Sequence, residues 1–173
     1  TPTLSLSTLN GTNGFRLDGL ALNDNSGASV ASAGDINGDG ITDLIIGGPG
    51  AIGGAGSSYV VFGKASGWTS TLALSSLNGV NGFRIDGVTG GDGSGRSVSS
   101  AGDVNGDGIA DLIIGASGAD PGGAGGAGSS YVIFGKTSGW TATLALSSLN
   151  GTNGFRIDGV TASDDSGGSV ASA

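Results

Sequence analysis

A long internal repeat, with an acidic loop at the same place in each copy, is the strongest constraint on this 173-residue chain. The triplet Leu-Asn-Gly begins at Leu9, Leu77 and Leu149, which gives repeat spacings of 68 and 72 residues. The four extra residues of the second spacing fall in one glycine-rich loop, around positions 120–123. Stacked and radial repeat proteins tolerate insertions that are confined to one loop. The sequence therefore predicts a series of similar supersecondary units.

Each unit contains short apolar runs between turn residues, which is the pattern of many short strands. In the first unit we expect strands near residues 27–33, 43–47, 57–63 and 82–87, with a longer excursion over residues 64–81. No segment keeps a helical period, and glycine, with 39 residues, interrupts every candidate helix. Four antiparallel strands per repeat form the unit of a β-propeller blade. The predicted fold class is therefore all-β, with propeller blades that are a fragment of a longer repeat array or ring.

The phase of the repeat divides the chain into four parts. Residues 1–19 correspond to the excursion and fourth strand of a preceding unit, and residues 20–87 and 88–159 are two complete units. Residues 160–173 match only the first strand of a following unit. The two terminal parts lack the second and third strands of a blade, so together they cannot complete one. We therefore expect further copies of the same repeats, from the same chain or by self-assembly, as partners.

The acidic loop of each unit carries oxygen-bearing side chains at its first, third, fifth and ninth positions. They belong to Asp35, Asn37, Asp39 and Asp43 in the first unit and to Asp103, Asn105, Asp107 and Asp111 in the second. These oxygens can converge on one hard cation, and a glycine at the sixth position permits the tight reversal that the loop needs. A flexible cage of carboxylate, amide and backbone oxygens suits Ca²⁺ better than Mg²⁺ or Zn²⁺.

The alternative for these loops is a hairpin in which Asp and Asn only cap backbone amides. Two identical donor sets in register favour metal binding over that alternative, with Ca²⁺ as the expected cofactor. A stabilising role for the ion is favoured over a signalling role, because no switch element is visible in the sequence.

The sequence around the loops resembles the FG-GAP repeat. The resemblance rests on Ser-Val-Ala-Ser-Ala-Gly-Asp-Ile-Asn-Gly-Asp-Gly at residues 29–40 and Asp-Leu-Ile-Ile-Gly-Gly-Pro at residues 43–49, and it recurs at residues 97–117. The leading Phe-Gly pair of the motif is replaced by Ser-Gly in this chain, as at residues 26–27. The Gly-Ala-Pro triplet becomes Gly-Gly-Pro in the first unit and Gly-Ala-Ser in the second.

The FG-GAP family includes the propeller head of integrin alpha subunits and many bacterial secreted proteins. The resemblance implies one calcium ion in the loop between the first two strands of each blade. It also implies that the backbone carbonyls of Ile41 and Ile109 add to the side-chain ligands.

Composition argues against several classes of function. The formal charge is −8 and the six basic residues are scattered, so no basic patch is present to bind nucleic acid. The chain has no His and no Cys, which excludes Ser-His and Cys-His catalysis by its own residues, and we expect it not to be an enzyme. No apolar run is long enough for membrane insertion. The lack of readily oxidised Cys and Met fits an extracellular, secreted or cell-surface location.

Several other motifs are interpreted as structural. The Gly-x-Gly-x-x-Gly pattern at residues 123–128 precedes a strand, so we expect a flexible loop and not a nucleotide site. The Asn-Gly pairs at positions 10, 78 and 150 indicate tight turns more strongly than glycosylation sites. Trp68 and Trp140 are expected to anchor the excursions by packing.

Charged residues also recur near the strands. Asp24, Asp92 and Asp164 precede the first strands in Asp-x-Ser-Gly, where a turn role is favoured over a ligand role. The fourth strands carry Arg-x-Asp, at Arg16–Asp18, Arg84–Asp86 and Arg156–Asp158. We expect weak solvent-facing ion pairs, with protection of an exposed sheet edge as the alternative.

Three functional classes remain open. The first is a calcium-stabilised extracellular structural or adhesive module, part of a large surface protein or filament. The second is a ligand-binding propeller that recognises a cell-surface protein or glycan, and the third is a non-catalytic part of a secreted enzyme. Near-identical units favour the first, because a specific site usually makes one blade differ from the others. The insertion around residues 120–123 is the one asymmetry at which a ligand contact is expected.

Overall fold

The computed structural model describes residues 3–172. Thr1, Pro2 and Ala173, which belong to the predicted terminal parts 1–19 and 160–173, lie outside the described residues. The strands are β1 (Arg16–Asp18), β2 (Ser29–Gly34), β3 (Asp43–Gly48), β4 (Ser57–Val61), β5 (Thr71–Ala73), β6 (Gly82–Asp86), β7 (Ser97–Gly102), β8 (Asp111–Ala116), β9 (Ser129–Ile133), β10 (Thr143–Ala145) and β11 (Gly154–Asp158). Short 3₁₀ turns lie at Leu6–Thr8, Ile52–Gly54, Leu74–Ser76, Pro121–Gly123 and Leu146–Ser148.

Each full unit folds into four antiparallel strands, as the sequence predicts. The spatial order is β6-β4-β3-β2 in the first unit and β11-β9-β8-β7 in the second. Glycine and turn residues end every run before a helix could form, and residues 3–172 contain no α-helix. The fold is therefore all-β and consists of propeller-like blades.

A fifth strand that sequence reasoning did not foresee joins the units. β5 and β10 lie within the excursions, and each pairs in parallel with the fourth strand of the preceding unit, β5 with β1 and β10 with β6. Each of these strands has only three residues, too few to show a period, and its partner lies in another unit. The 3₁₀ turn that follows each one buries a leucine, Leu74 or Leu146. The excursion thus links neighbouring blades.

The two units pack closely where their first strands approach each other. The backbone N–H of Ala110 donates to the carbonyl of Asp35 at 3.2 Å, and that of Lys136 donates to the carbonyl of Ile36 at 3.1 Å. Ile36 is fully buried in the core cluster, together with Ile45 and Leu112. The acidic loop of the first unit is therefore wedged against the second unit.

The segment that follows the second unit forms no strand within residues 160–172. Ser166 makes an isolated parallel bridge with Gly128, and the Ser97 hydroxyl donates to the carbonyl of Gly167 at 2.8 Å. The equivalent segments β2 and β7 pair with the second strands of their own units, and no such strand lies beside residues 160–172. The described residues also form no helix of the length and hydrophobicity that crossing a bilayer requires.

Candidate metal site

Both acidic loops follow a bulge in the first strand of their unit. The pairing of β2 with β3 shifts between Ser32 and Gly34, and that of β7 with β8 shifts between Ser100 and Gly102. A bulge bends its strand and increases the local twist. Each loop consequently leaves the blade at the turn between its first and second strands, where the resemblance places a metal ion.

The first loop is ordered by its own carboxylates. The Asp35 carboxylate accepts hydrogen bonds from the N–H groups of Asp39 at 3.0 Å and Gly40 at 2.8 Å. The Asp39 carboxylate accepts one from Ile41 at 2.8 Å. Gly40, at the sixth position, has φ of 84°, a left-handed conformation that favours glycine.

The second loop repeats this arrangement. Asp103 accepts hydrogen bonds from Asp107 at 3.0 Å and Gly108 at 2.8 Å, and Asp107 accepts one from Ile109 at 2.9 Å. Gly108 has φ of 85°. Two loops with different neighbours therefore hold the same shape, which indicates that the shape is encoded by the nine-residue sequence itself.

The third-position asparagines connect to the fifth-position aspartates in both loops. The side-chain oxygen of Asn37 accepts the N–H of Asp39 at 2.9 Å, and its amide nitrogen donates to the Asp39 carboxylate at 3.0 Å. Asn105 makes the same two bonds to Asp107, each at 2.9 Å. Sequence reasoning expected these four residues to point their oxygens at a cation, and the described contacts are all within the loop.

The ninth-position aspartates have a second role that sequence reasoning missed. Asp43 and Asp111 are fully buried. Asp43 accepts N–H groups from Ile36 at 3.0 Å and from Gly63 at 2.7 Å. Asp111 accepts N–H groups from Val104 and Gly135, both at 2.8 Å. Each carboxylate thus ties its loop to the end of the third strand, and only the three-dimensional arrangement reveals this contact.

The electrostatic environment of Asp43 is unfavourable for its charge. Burial raises the pKa of its carboxyl to about 6, against the lowering effect of the hydrogen bonds from Gly63 and Ile36, and the nearby carboxylates of Asp39 and Asp35 raise it further. The ion pairs of residues 3–172 all lie on the fourth strands, between Arg16 and Asp18 and their counterparts. The loop carboxylates therefore have no basic side chain to balance them.

The donor set of each loop fits a hard cation in chemistry, since it offers three carboxylates and one amide oxygen. Within residues 3–172, however, no three acidic side chains are already gathered in a way that could hold a metal ion. The predicted carbonyl ligands Ile41 and Ile109 directly follow the sixth-position glycines, and the ligand set as a whole stays a prediction.

The remaining motifs are structural, as the sequence predicts. The carboxylates of Asp24, Asp92 and Asp164 accept backbone N–H groups three residues earlier, at 2.9, 3.0 and 2.7 Å. The turn after each Leu-Asn-Gly triplet is closed by a backbone bond, such as that from Gly79 to the carbonyl of Gly82 at 2.8 Å. These residues are therefore engaged in turns.

The fourth-strand ion pairs form as expected, but their position differs from the prediction. Arg84 and Asp86 lie on β6, which is covered by β10 and is not the outermost strand of its sheet. Their side chains are 33% and 21% exposed, whereas those of Arg156 and Asp158, on the edge strand β11, are 48% and 36% exposed. Protection of a free edge is therefore a possible role only where the edge is free.

A polar cleft of about 260 Å³ lies beside the four-residue insertion. Its lining includes Asp92, Asp120, Tyr131 and Arg156. Asp120 also orders the insertion, because its carboxylate accepts the N–H of Gly126 at 2.6 Å. The cleft is thus a concave place with both charges at the one site where the units differ.

Comparison with known proteins agrees with the resemblance noted in the sequence. Residues 26–61 and 94–133 match the model of the FG-GAP repeat. A segment of 95 residues, which covers 53% of this chain, is 35% identical to integrin alpha-M of Mus musculus. The match spans 8% of the length of that integrin subunit.

Proposed function

We propose that the two FG-GAP repeats of this chain form a calcium-stabilised structural or adhesive module of an extracellular protein, part of a large surface protein or filament. The observation that carries the proposal is the duplication of one oxygen donor set, with the same internal hydrogen bonds, in two loops that lack a basic partner. Near-identity of the units favours a repeated structural role over one specific binding site.

The physical reason for calcium is the cost of gathering negative charge. Each loop carries three carboxylates, and at Asp43 the neighbouring acids already disfavour ionisation. A bound Ca²⁺ supplies the positive charge that offsets this repulsion. Asp35, Asn37, Asp39 and Asp43 would hold the ion in the first unit, with the carbonyl of Ile41. Their counterparts Asp103, Asn105, Asp107, Ile109 and Asp111 would hold the second.

Support for an extracellular role comes from composition and from the matched family. The chain contains no Cys, Met or His and has a formal charge of −8. The integrin alpha subunit that it matches is a relative over only 8% of its length, so the role of the whole integrin is not carried over. No residue arrangement for catalysis has been found in the described part of the chain, and we propose a non-enzymatic role.

Titration calorimetry with Ca²⁺ tests the proposal. We expect two ions per chain, one ion for Asp39→Asn, and none for the double variant with Asp107→Asn. Asp165→Asn is the matched control, because its exposed carboxylate lies outside both loops, and it is expected to bind two ions. No heat of binding in the unaltered chain, or two ions bound by the double variant, would contradict the proposal.

A second candidate function is recognition of a protein or glycan by one face of the blades. The cleft beside the insertion favours it, since Arg156 and Asp92 line a concave polar surface there. A glycan array probed with the chain and with Arg156→Ala distinguishes the two functions. Glycan binding that the variant loses supports recognition at the cleft.

A further inference from the structure

The outer edge of β11 in the second unit carries no strand within residues 3–172, whereas the same edge of β6 in the first unit carries β10. We propose that the edge of β11, together with Gly151 and Phe155, docks the lysine–tryptophan–strand segment of a further repeat unit of the same kind. The segment is the one represented by residues 136–149 of this chain, which fill the equivalent place one unit earlier. The inference does not depend on calcium binding.

Two junctions within the chain show how the segment binds. β5 adds to β1 with Arg16 opposite Thr71, and β10 adds to β6 with Arg84 opposite Thr143, both in parallel. In each case the arginine N–H donates to the carbonyl just before the added strand, at 2.9 and 3.0 Å. A free strand edge offers the same backbone groups to an incoming strand. β11 presents the same Gly-Phe-Arg-Ile-Asp sequence as β6.

An aromatic clasp accompanies the strand at both junctions. Trp68 stacks on Phe15, and Trp140 stacks on Phe83, each with ring centroids 4.2 Å apart. The lysine four residues before each tryptophan places its ammonium over the indole, at 4.6 and 4.7 Å from the ring centroid. Each indole N–H also donates to the carbonyl of that lysine at 3.0 Å. The segment therefore presents a preorganised tryptophan.

The third copy of the acceptor surface is formed but empty of this partner. A Cβ at Gly11 would collide with the Trp68 carbonyl, and one at Gly79 would lie 2.5 Å from the Trp140 carbonyl. At Gly151, which has nearly the same φ of 90°, a Cβ would meet nothing within 4 Å. The chain holds two tryptophans, and both are engaged at the other junctions.

Exposure of apolar side chains agrees with a missing neighbour. Ile157 is 46% exposed, whereas its counterpart Ile85 is fully buried. Val104, in the second acidic loop, is 51% exposed, whereas Ile36 is fully buried against the next unit. Phe155 contacts Phe134 at 5.9 Å between ring centroids and lacks the stacked indole that covers Phe83. The occupant that satisfies all of these groups is the segment that already does so twice in this chain.

The test uses the full chain and a fluorescent peptide with the sequence of residues 136–149. Fluorescence anisotropy is expected to show saturable binding of one peptide per chain. Hydrogen exchange is expected to slow at residues 154–158 and to stay unchanged at residues 82–86. A peptide with leucine in place of the tryptophan is expected to bind about tenfold more weakly, because it loses the ring stack. This comparison leaves the chain itself unaltered.

Variants of the chain provide the complementary comparison. Ile157→Ser, on the exposed edge, is expected to weaken peptide binding, whereas Leu22→Ser, at a residue that is 90% exposed in the first unit, is expected to leave it unchanged. Equal binding of the tryptophan and leucine peptides, protection of residues 82–86 instead of 154–158, or no saturation at the solubility limit of the peptide would overturn the proposal. Calcium is held saturating throughout, so failure of the calcium titration does not alter this result.

Discussion

The carboxylate of Asp43 accepts a hydrogen bond from the backbone N–H of Gly63 at 2.7 Å, so the last acidic residue of the loop also holds the end of the third strand. The same carboxylate accepts the buried N–H of Ile36 at 3.0 Å. Asp39, in contrast, is exposed and bonds only within its loop. The two aspartates should therefore contribute differently to stability when no calcium is present.

Asp43→Ala is expected to lower the free energy of unfolding by about 2 kcal/mol or more in the presence of a chelator, because it leaves two backbone donors without an acceptor away from solvent. Asp39→Ala is expected to change it by less than about 1 kcal/mol, since water can replace its exposed bonds. Urea unfolding followed by tryptophan fluorescence measures both. Equal losses for the two variants would show that Asp43 has no structural role beyond the loop.

Calcium is expected to raise the melting temperature of the chain. A ligand that binds only the folded state stabilises it by about 2.7 kcal/mol per site at a hundredfold excess over Kd. Differential scanning calorimetry in calcium and in chelator measures the shift. Asp107→Asn should retain about half of it, and the double variant with Asp39→Asn should show none. A melting temperature that is unchanged by chelator would exclude calcium stabilisation.

The strands and turns of the blades could be predicted from the sequence because their signals are local. Runs such as Leu44-Ile45-Ile46 lie between turn residues, and the aspartates of Asp-x-Ser-Gly bond to backbone groups only three residues away. The acidic loops also hold their shape by bonds between residues at most five positions apart. Each of these features depends on its own few residues.

The features that could not be predicted depend on neighbouring units. Thr71–Ala73 becomes a strand only because β1 offers an edge, and nothing in three residues signals that partner. Ile36 and Val104 occupy the same loop position, yet one is buried and the other is half exposed, because only the first loop has a following unit in the described chain. The link from Asp43 to Gly63 likewise requires a contact across 20 residues.

Trp140→Leu is expected to destabilise the junction between the two full units. The indole stacks on fully buried Phe83, and its removal loses both the stack and buried apolar contact, which together cost about 2 kcal/mol or more. Trp68→Leu is the matched comparison. It should cost less, because its partner Phe15 is only half-buried. Denaturant unfolding measures both losses, and a larger loss for Trp68→Leu would contradict this account of the junction.

Gly47→Ala is expected to disrupt the blade although its backbone conformation suits any residue. Gly47 lies on β3, and a Cβ there would collide with the carbonyl of Gly95 and the hydroxyl of Ser29, which are themselves joined by a hydrogen bond of 2.8 Å. Since two of these groups are parts of strands or their turns, they cannot move aside cheaply. Overpacking at such a place costs about 2 kcal/mol or more.

Gly125→Ala is the matched control for Gly47→Ala. Gly125 lies in the insertion loop, its φ is not in the left-handed region, and a Cβ there would meet nothing within 4 Å. Its free energy of unfolding should therefore stay within about 0.5 kcal/mol of the unaltered chain, as for most surface substitutions. Urea unfolding of both variants provides the measurement. If Gly47→Ala were as stable as Gly125→Ala, the close approach of β3 to the turn at Gly95 would not be part of the folded protein in solution.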